Sequence, residues 1–395
     1  MNPCNRIAGY AKKIRHELRM WGYRRAEDRA DRLFRRWMTK LQKNPPEVLI
    51  GGNFDFAGGV RGHLLGIQTY SNLKVQFAPE DALLSRIGVY WCHVHFGGQF
   101  RSINASGFSA IHSHVYPEFN EWCFFQQQQY GAYWVHTYHN HYYPEFSRGP
   151  LEPWMLRINE SLLNTARFAD VRISVSRWQQ QELRELHSIE TVYVPNGVDV
   201  ARCCRGSAER FRKEYSLDQF ILYVGRDDPV KNPEEFVQLA LRLPEVPCVM
   251  IGGGLTPARV FELCGSVPQN LRILGPKSSA VVHDALAAAA VVVVTSKREG
   301  LPTLVLEAMV HERPVVVPDE RGCSEAVNHG EFGSIYSLGD LDDLENKVRA
   351  ALAQCVPTVG ALQHVKSEYD WSVTAAKLDR IYRREKPAKD SNSEY

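Results

Sequence analysis

The sequence predicts an α/β protein of two doubly wound domains facing a cleft. Three observations predict it. The chain has 395 residues, the length of two domains of ordinary size. Short apolar runs rich in valine and isoleucine recur between polar, helix-forming segments, as they do where parallel strands alternate with crossover helices. One stretch, Thr295 to Met309 (TSKREGLPTLVLEAM), reads as strand, loop and helix at the carboxyl end of a sheet, where such sheets bind ligands.

Composition narrows the class. Apolar residues make up 44% and charged residues 23%, an ordinary balance for a globular protein. The net charge of +2 is unevenly spread: residues 1–50 hold 13 Lys/Arg against 5 Asp/Glu, and the rest holds 34 against 40. Nine cysteines without a C-x-x-C pair point to reduced thiols and a cytoplasmic setting. No apolar run approaches membrane-spanning length, and no signal-peptide core is expected at the start.

Residues 1–45 read as a basic arm. Ala26, Ala30, Leu33, Phe34, Trp37 and Leu41 fall at helical spacing, and Arg25, Arg29, Arg32 and Arg36 line another face. Such a helix either lies on an anionic membrane, here through residues 10–42, or docks on its own protein with arginines in water. Gly22 argues against one unbroken helix. No nucleic-acid motif accompanies the charge, so no nucleic-acid partner is expected.

Pro45-Pro46 breaks the chain, and Val48–Gly51 reads as the first strand of a new domain. Gly58-Gly59-Val60-Arg61-Gly62-His63 follows; paired glycines between strand and helix let the backbone approach a ligand. Further strands are expected around 74–78, 88–95, 109–114 and from Ala132 onward, with a helix over 118–130. The loop Thr137–Tyr143 is dense in histidines and aromatics, a surface on which a sugar can stack and hydrogen-bond. His93-x-His95, His112-x-His114 and His139-x-His141 each put two imidazoles on one strand face. No acidic or cysteine ligand accompanies them by spacing, so no metal site is expected. Asn196-Gly197 marks a turn after a strand at 192–194, and a linker is expected over 200–216.

The second domain opens with the strand Phe220–Val224, followed by Gly225-Arg226 and a helix at Lys231-Asn232-Pro233-Glu234. Arg226 and Lys231 stand where two cations can hold a diphosphate. Cys248–Gly254 and Leu271–Gly275 read as the next strands. The run Ala285–Val294, ending in four valines, reads as one buried strand. Pro302 suits the first turn of the helix that follows, whose unpaired N–H groups make an anion site. Glu299 lies in the loop and Glu307 about two turns on. Two carboxylates flanking a phosphate site suit a ligand with hydroxyls on both sides of a phosphate, such as a nucleotide sugar.

At these residues a family resemblance becomes specific. Glu299-Gly300-Leu301-Pro302 with Glu307-Ala308-Met309 resembles the E-x7-E signature of retaining GT-B glycosyltransferases of the family 4 type. Gly225-Arg226 with Lys231-Asn232, Pro195-Asn196-Gly197-Val198-Asp199, Thr137-Tyr138-His139, Ile111-His112-Ser113-His114 and Gly58-Gly59-Val60 are similar to other elements of that family. The resemblance is specific over about 190–340, looser over 46–190 and absent over 1–45. It implies a Rossmann-like acceptor domain (46–200), a Rossmann-like donor domain (201–365), a C-terminal helix crossing back to the first domain (366–385) and a polar tail (386–395).

It also implies a hexosyltransferase needing no cofactor or metal, acting on a UDP- or GDP-sugar and an acceptor hydroxyl in glycan biosynthesis. Arg226 and Lys231 would neutralise the leaving diphosphate with N–H groups of Thr303, Leu304 and Val305. Glu299 would hold the hexose, Glu307 the ribose, and His139 would lie near the reacting carbon. Gly59, Gly300 and Leu301 would complete the donor site. No nucleophile is assigned, in keeping with a front-face mechanism. A catalytically silent scaffold, a sugar phosphorylase and an epimerase on the same fold remain as alternatives.

Overall fold

The computed structural model describes residues 3–51, 59–353 and 358–385, except the side chains of 3–22 and of residues 93, 96, 97 and 99. Its valine- and isoleucine-rich runs form two six-stranded, wholly parallel sheets. In the first the strand order is β2-β1-β3-β4-β5-β6, with β1 Val48–Gly51, β2 Val75–Ala78, β3 Ala110–Ser113, β4 Trp134–Tyr138, β5 Val171–Ser174 and β6 Val192–Tyr193. In the second it is β12-β11-β10-β7-β8-β9, with β7 Ile221–Val224, β8 Cys248–Ile251, β9 Leu271–Gly275, β10 Val291–Val293, β11 Val315–Pro318 and β12 Ser334–Tyr336. The central strands are buried along their length, as parallel strands covered on both faces must be.

Both orders reverse direction once. The chain leaves β1 toward β2 on one side and returns to β3 on the other; it leaves β7 toward β8 and returns to β10. At each reversal the loops after two adjacent strands diverge and open a crevice at the strands' carboxyl ends. Among the described residues those loops are 114–116 in the first sheet, and 225–232 and 294–302 in the second.

Several local expectations are corrected. The apolar run 285–294 is not one strand: Ser279–Ala288 is a helix, and β10 spans only Val291–Val293. Alanine favours helix and the β-branched valines favour strand, so the run divides where its composition changes. The strand expected over 88–95 is part of a helix, α3 (Asp81–Gly97), interrupted at Gly88, whose φ of 79° only glycine adopts readily. The expected linker 200–216 contains two short helices, Val200–Cys203 and Ala208–Tyr215, capped by Asp199 and Ser207. Pro302 is the residue before the helix Thr303–Val310 rather than inside its first turn.

The arm is one helix, α1 (Pro3–Lys43), unbroken at Gly22. Ala30, Phe34, Trp37, Met38 and Leu41 are buried against the first domain, while Ala26 is exposed. Phe34 stacks on His95 and Trp37 on Phe100, with ring centroids 4.8 and 5.6 Å apart. The apolar stripe is therefore used up on the protein itself, and tertiary packing outweighs the cost of a helical glycine, about 1 kcal/mol.

The helix Trp371–Tyr382 packs across the helix α2 (Gly59–Tyr70) of the first sheet's domain. Trp371 is its wedge. A Cβ on Gly66 would lie 2.0 Å from the indole, and one on Gly197 2.4 Å. Gly197 of the Asn-Gly pair thus makes room for a side chain. Beyond Trp371, Asp379 accepts hydrogen bonds from Ser71 Oγ (2.5 Å) and the Asn72 N–H (2.8 Å). Tyr382 ends the helix with its hydroxyl 2.7 Å from His112 Nδ1. The tail 386–395 lies outside the described residues.

Candidate active site

The crevice of the second sheet is built by two loops. Val224 ends β7, and Lys231 lies just before the helix Pro233–Arg242; β10 leads into Thr295, Ser296 and Glu299. Thr295 Oγ donates to the carbonyls of Lys231 (3.0 Å) and Asn232 (2.8 Å), tying the loops together. Between them and Gly59 of the first domain is a cavity of about 140 Å³. Its walls include Lys231, Thr295, Ser296, Glu299, Leu301, Thr303 and Leu304, with Asn196 and Gly59 from the facing side. Of the residues singled out from sequence, Gly59, Lys231, Glu299, Leu301, Thr303 and Leu304 thus share one cavity.

Lys231 Nζ and Glu299 Oε1 are 2.5 Å apart, a partly shielded pair at the cavity wall. The cation and carboxylate expected to grip different parts of a ligand hold each other here. Glu299 is further fixed through its backbone: a Cβ on Gly322 would lie 2.4 Å from the Glu299 carbonyl oxygen, so only glycine allows this approach. Thr303–Val310 presents its amine end to the cavity. The Val305 N–H bonds to the Pro302 carbonyl at 3.1 Å, which leaves Thr303 and Leu304 as the wall residues of that turn.

The remaining expected residues lie elsewhere. Arg226 is largely exposed and forks onto Asp228 Oδ2 through Nε (2.9 Å) and Nη2 (2.7 Å). Glu307 lies off the cavity against the helix Val200–Cys203, with Arg202 as its charged neighbour. It makes no hydrogen bond among the described residues, and burial pushes its carboxyl up to about 7 against the weaker pull of Arg202. Gly300 is packed between the domains, where a Cβ would meet Val175 at 3.2 Å and Asn140 at 3.3 Å.

His139 follows β4 and is buried, its Nε2 3.1 Å from Nδ1 of His114, which follows β3. His63, from α2, lies 5.2 Å from His139 and 5.4 Å from His114 between ring centroids. Burial, reinforced by the neighbouring imidazoles, holds His114 and His139 well below the usual histidine value; burial brings His63 down to about 4 against an opposing pull from Asn196. The three gather at the crevice of the first sheet. They come from three different elements, so no pair spacing within one strand could announce them. His112 is not among them, since its ring bonds Tyr382 and Thr137 Oγ (2.8 Å).

Sequence reasoning also missed what clamps the loop 296–302. Arg298 pairs with Glu182 at 2.5 Å and lies over the rings of Tyr143 (4.2 Å) and Trp178 (4.9 Å). Trp178 Nε1 donates to the Gly300 carbonyl (2.8 Å), and Asn196 Nδ2 to that of Leu301 (3.3 Å). Glu325 reaches from the second domain to accept the N–H groups of Arg177 (2.8 Å) and Trp178 (2.9 Å), capping a helix of the first. These partners lie more than a hundred residues apart, so only folding pairs them.

Two family models match the chain: "Glycosyltransferase Family 4" over residues 88–202 and "Glycosyl transferases group 1" over 207–356. A phosphatidyl-myo-inositol mannosyltransferase of Mycobacterium leprae is 26% identical over 244 residues, covering 60% of this chain and 62% of its own. A D-inositol 3-phosphate glycosyltransferase of Mycolicibacterium gilvum is 28% identical over 231 residues, 55% of this chain and 52% of its own. The chain therefore matches little more than half the length of these relatives. Among solved structures, a sucrose-phosphate synthase of Thermosynechococcus elongatus superposes with a TM-score of 0.70 at 19% identity. The Anabaena protein HepE in complex with UDP and glucose gives 0.67 at 17%. Each covers 85% of this chain and 98% of its own, and at such identity the likeness is one of fold.

The clamp makes a prediction. Arg298 and Glu182 are both nearly buried, so truncating either leaves its partner's charge uncompensated, at a cost of about 3–5 kcal/mol. Arg298→Ala and Glu182→Ala are each expected to lower the urea midpoint. The double variant should cost less than the sum in a denaturation cycle; strict additivity would mean that the pair is not coupled.

Proposed function

We propose that this chain, which belongs to the GT-B glycosyltransferases of the family 4 type, moves a hexose from a nucleoside-diphosphate sugar to an acceptor hydroxyl with retention. The observation that carries the reading is the cavity in which Lys231, Glu299 and the amine end of Thr303–Val310 meet Gly59 of the facing domain. Its cation and N–H groups suit a diphosphate, and its carboxylate suits sugar hydroxyls. At about 140 Å³ it is smaller than the roughly 300–1,000 Å³ usual for a small-molecule site, so it encloses part of such a donor.

In this reading the donor diphosphate takes Lys231 from Glu299. Lys231 then balances the charge that grows as the sugar–phosphate bond breaks, and Glu299 turns to the hexose hydroxyls. Arg226, held only by its neighbour Asp228, swings to the same phosphates. Glu307 accepts the ribose hydroxyls with oxygens that have no other hydrogen-bond partner among the described residues. His139 faces the hexose from the first domain. The acceptor proton passes to the departing phosphate oxygen, a front-face course that needs no protein nucleophile.

The test is transfer and slow donor hydrolysis with UDP- and GDP-sugars. Lys231→Ala is expected to cut kcat by about 10²–10³ through lost leaving-group stabilisation. Turnover close to that of the unaltered protein would refute its role, and no turnover of any donor by the unaltered protein would favour a silent scaffold.

Glu307 gives a pH signature. Its carboxyl, raised to about 7, is ionised only above that value, and the ionised form is the stronger acceptor. Nucleotide affinity is expected to rise as pH increases through about 7, and Glu307→Gln to flatten that dependence. Calorimetry at pH 6 and pH 8 on both proteins checks it; equal slopes would remove Glu307 from the ribose site.

A membrane-bound acceptor is favoured by the arm. With the apolar stripe of α1 buried, Arg29, Arg32 and Arg36 join Arg86 of α3 around a shallow depression of about 500 Å³. Tyr23, Val89, Tyr90 and Val94, from the same two helices, are exposed. Arginines beside exposed aromatic and aliphatic groups suit an anionic bilayer surface. Neutralising Arg29, Arg32, Arg36 and Arg86 together is expected to abolish co-sedimentation with phosphatidylglycerol vesicles. Unchanged sedimentation would rule this docking out.

A further inference from the structure

The three histidines at the crevice of the first sheet have a property that a sugar contact does not require. His63, His114 and His139 each offer a ring nitrogen within 4.8 Å of the other two. Neither nitrogen of His63 makes a close hydrogen bond among the described residues, Asn196 standing beside the ring as a weak acceptor, and Nε2 of His114 makes none; all three atoms are out of solvent. His63 is 3% exposed and His114 0%. Buried ring nitrogens usually find a donor or acceptor, and leaving one without costs about 1–3 kcal/mol. The ring of His63, without a close partner and set beside two further imidazoles, calls for a ligand.

We propose that His63, His114 and His139 form a binding site for a nitrogen-preferring divalent transition-metal ion, of which zinc is the type. Three imidazoles from separate elements are the protein ligand set of an open zinc site. Zinc–nitrogen bonds of about 2.0–2.1 Å place tetrahedral ligands about 3.3 Å apart. Nε2 of His139 and Nδ1 of His114 are already 3.1 Å apart, and the three rings offer ligand nitrogens within 4.8 Å of one another.

The surroundings support the ligand type. Trp371 packs edge-on against His63 at 5.4 Å, and the His112 ring lies 4.3 Å from that of His114, itself held by Tyr382 and Thr137. Asn196 stands beside His63 and lines the donor cavity, which provides a way in. Among the described residues no carboxylate belongs to the cluster, and three imidazoles favour a nitrogen-preferring ion over magnesium or calcium, which take oxygen ligands. His139 is shared with the transferase reading, in which it faces the hexose; the test reads ion binding and not turnover, so either reading can fail without the other.

The test uses the full chain, stripped with chelator and dialysed, and titrated with cobalt(II) as a visible probe and zinc as competitor. One cobalt per chain with a visible absorption band, displaced by zinc and untouched by magnesium or calcium, is the expected result. His63→Ala, shown to be folded by circular dichroism, should weaken the ion at least about tenfold. X-ray absorption on the zinc-loaded unaltered protein needs no variant and should count three imidazoles. Fewer than three imidazoles, no stoichiometric binding, or binding undiminished in folded His63→Ala would each overturn the assignment.

Discussion

The constraint on which the rest depends is that the loop 296–302 is held by both domains at once. From its own domain it receives Lys231 on Glu299 and the close approach of Gly322 to the Glu299 carbonyl. From the facing domain it receives Glu182 on Arg298, Trp178 on the Gly300 carbonyl and Asn196 on the Leu301 carbonyl. A charged loop at the end of a strand would otherwise be mobile and solvated. Here five partners fix it, and it becomes a rigid wall of the cavity between the sheets. Arg298 is central because a planar guanidinium can pair with a carboxylate and lie over aromatic rings at the same time.

The first domain has its own keystone in the helix Trp371–Tyr382. Its indole fills the space left by Gly66 and Gly197, its Asp379 caps the turn at Ser71 and Asn72, and its Tyr382 reaches His112 under the strand ends. A segment at the far end of the sequence therefore completes the domain built by residues 48–193. It also shapes the histidine cluster, since Trp371 is the ring against His63. The two crevices are related: Asn196 borders both the cavity and His63, so a ligand in one lies one residue from the other.

Much was legible where local chemistry decides. Val48–Gly51, Ile221–Val224 and Cys248–Ile251 are strands because buried apolar runs bounded by turn residues have few other solutions. Lys231, Glu299, Thr303 and Leu304 were found together because two strand-to-helix turns at one sheet reversal must converge. Arg226 was placed at the correct strand end, but its side chain went to Asp228, a choice made by the nearest unpaired charge. The errors share one cause. The run 285–294, the segment 88–95 and the helix through Gly22 were each settled by neighbours distant in sequence, and apolar spacing alone does not distinguish a buried helix from a buried strand.

By itself the sequence determined the class of fold and the residue types gathered at the carboxyl ends of its strands. These follow from periodicity, turn chemistry and the reach of a few residues, all of which are local. Only the tertiary structure decided which partners those residues take. It set Lys231 on Glu299, left Glu307 beside Arg202 with no hydrogen bond among the described residues, spent the apolar face of α1 on the protein's own core and drew three histidines from three elements into one cluster. Those pairings depend on distances closed by folding across tens to hundreds of residues, and no spacing along the chain encodes such a distance.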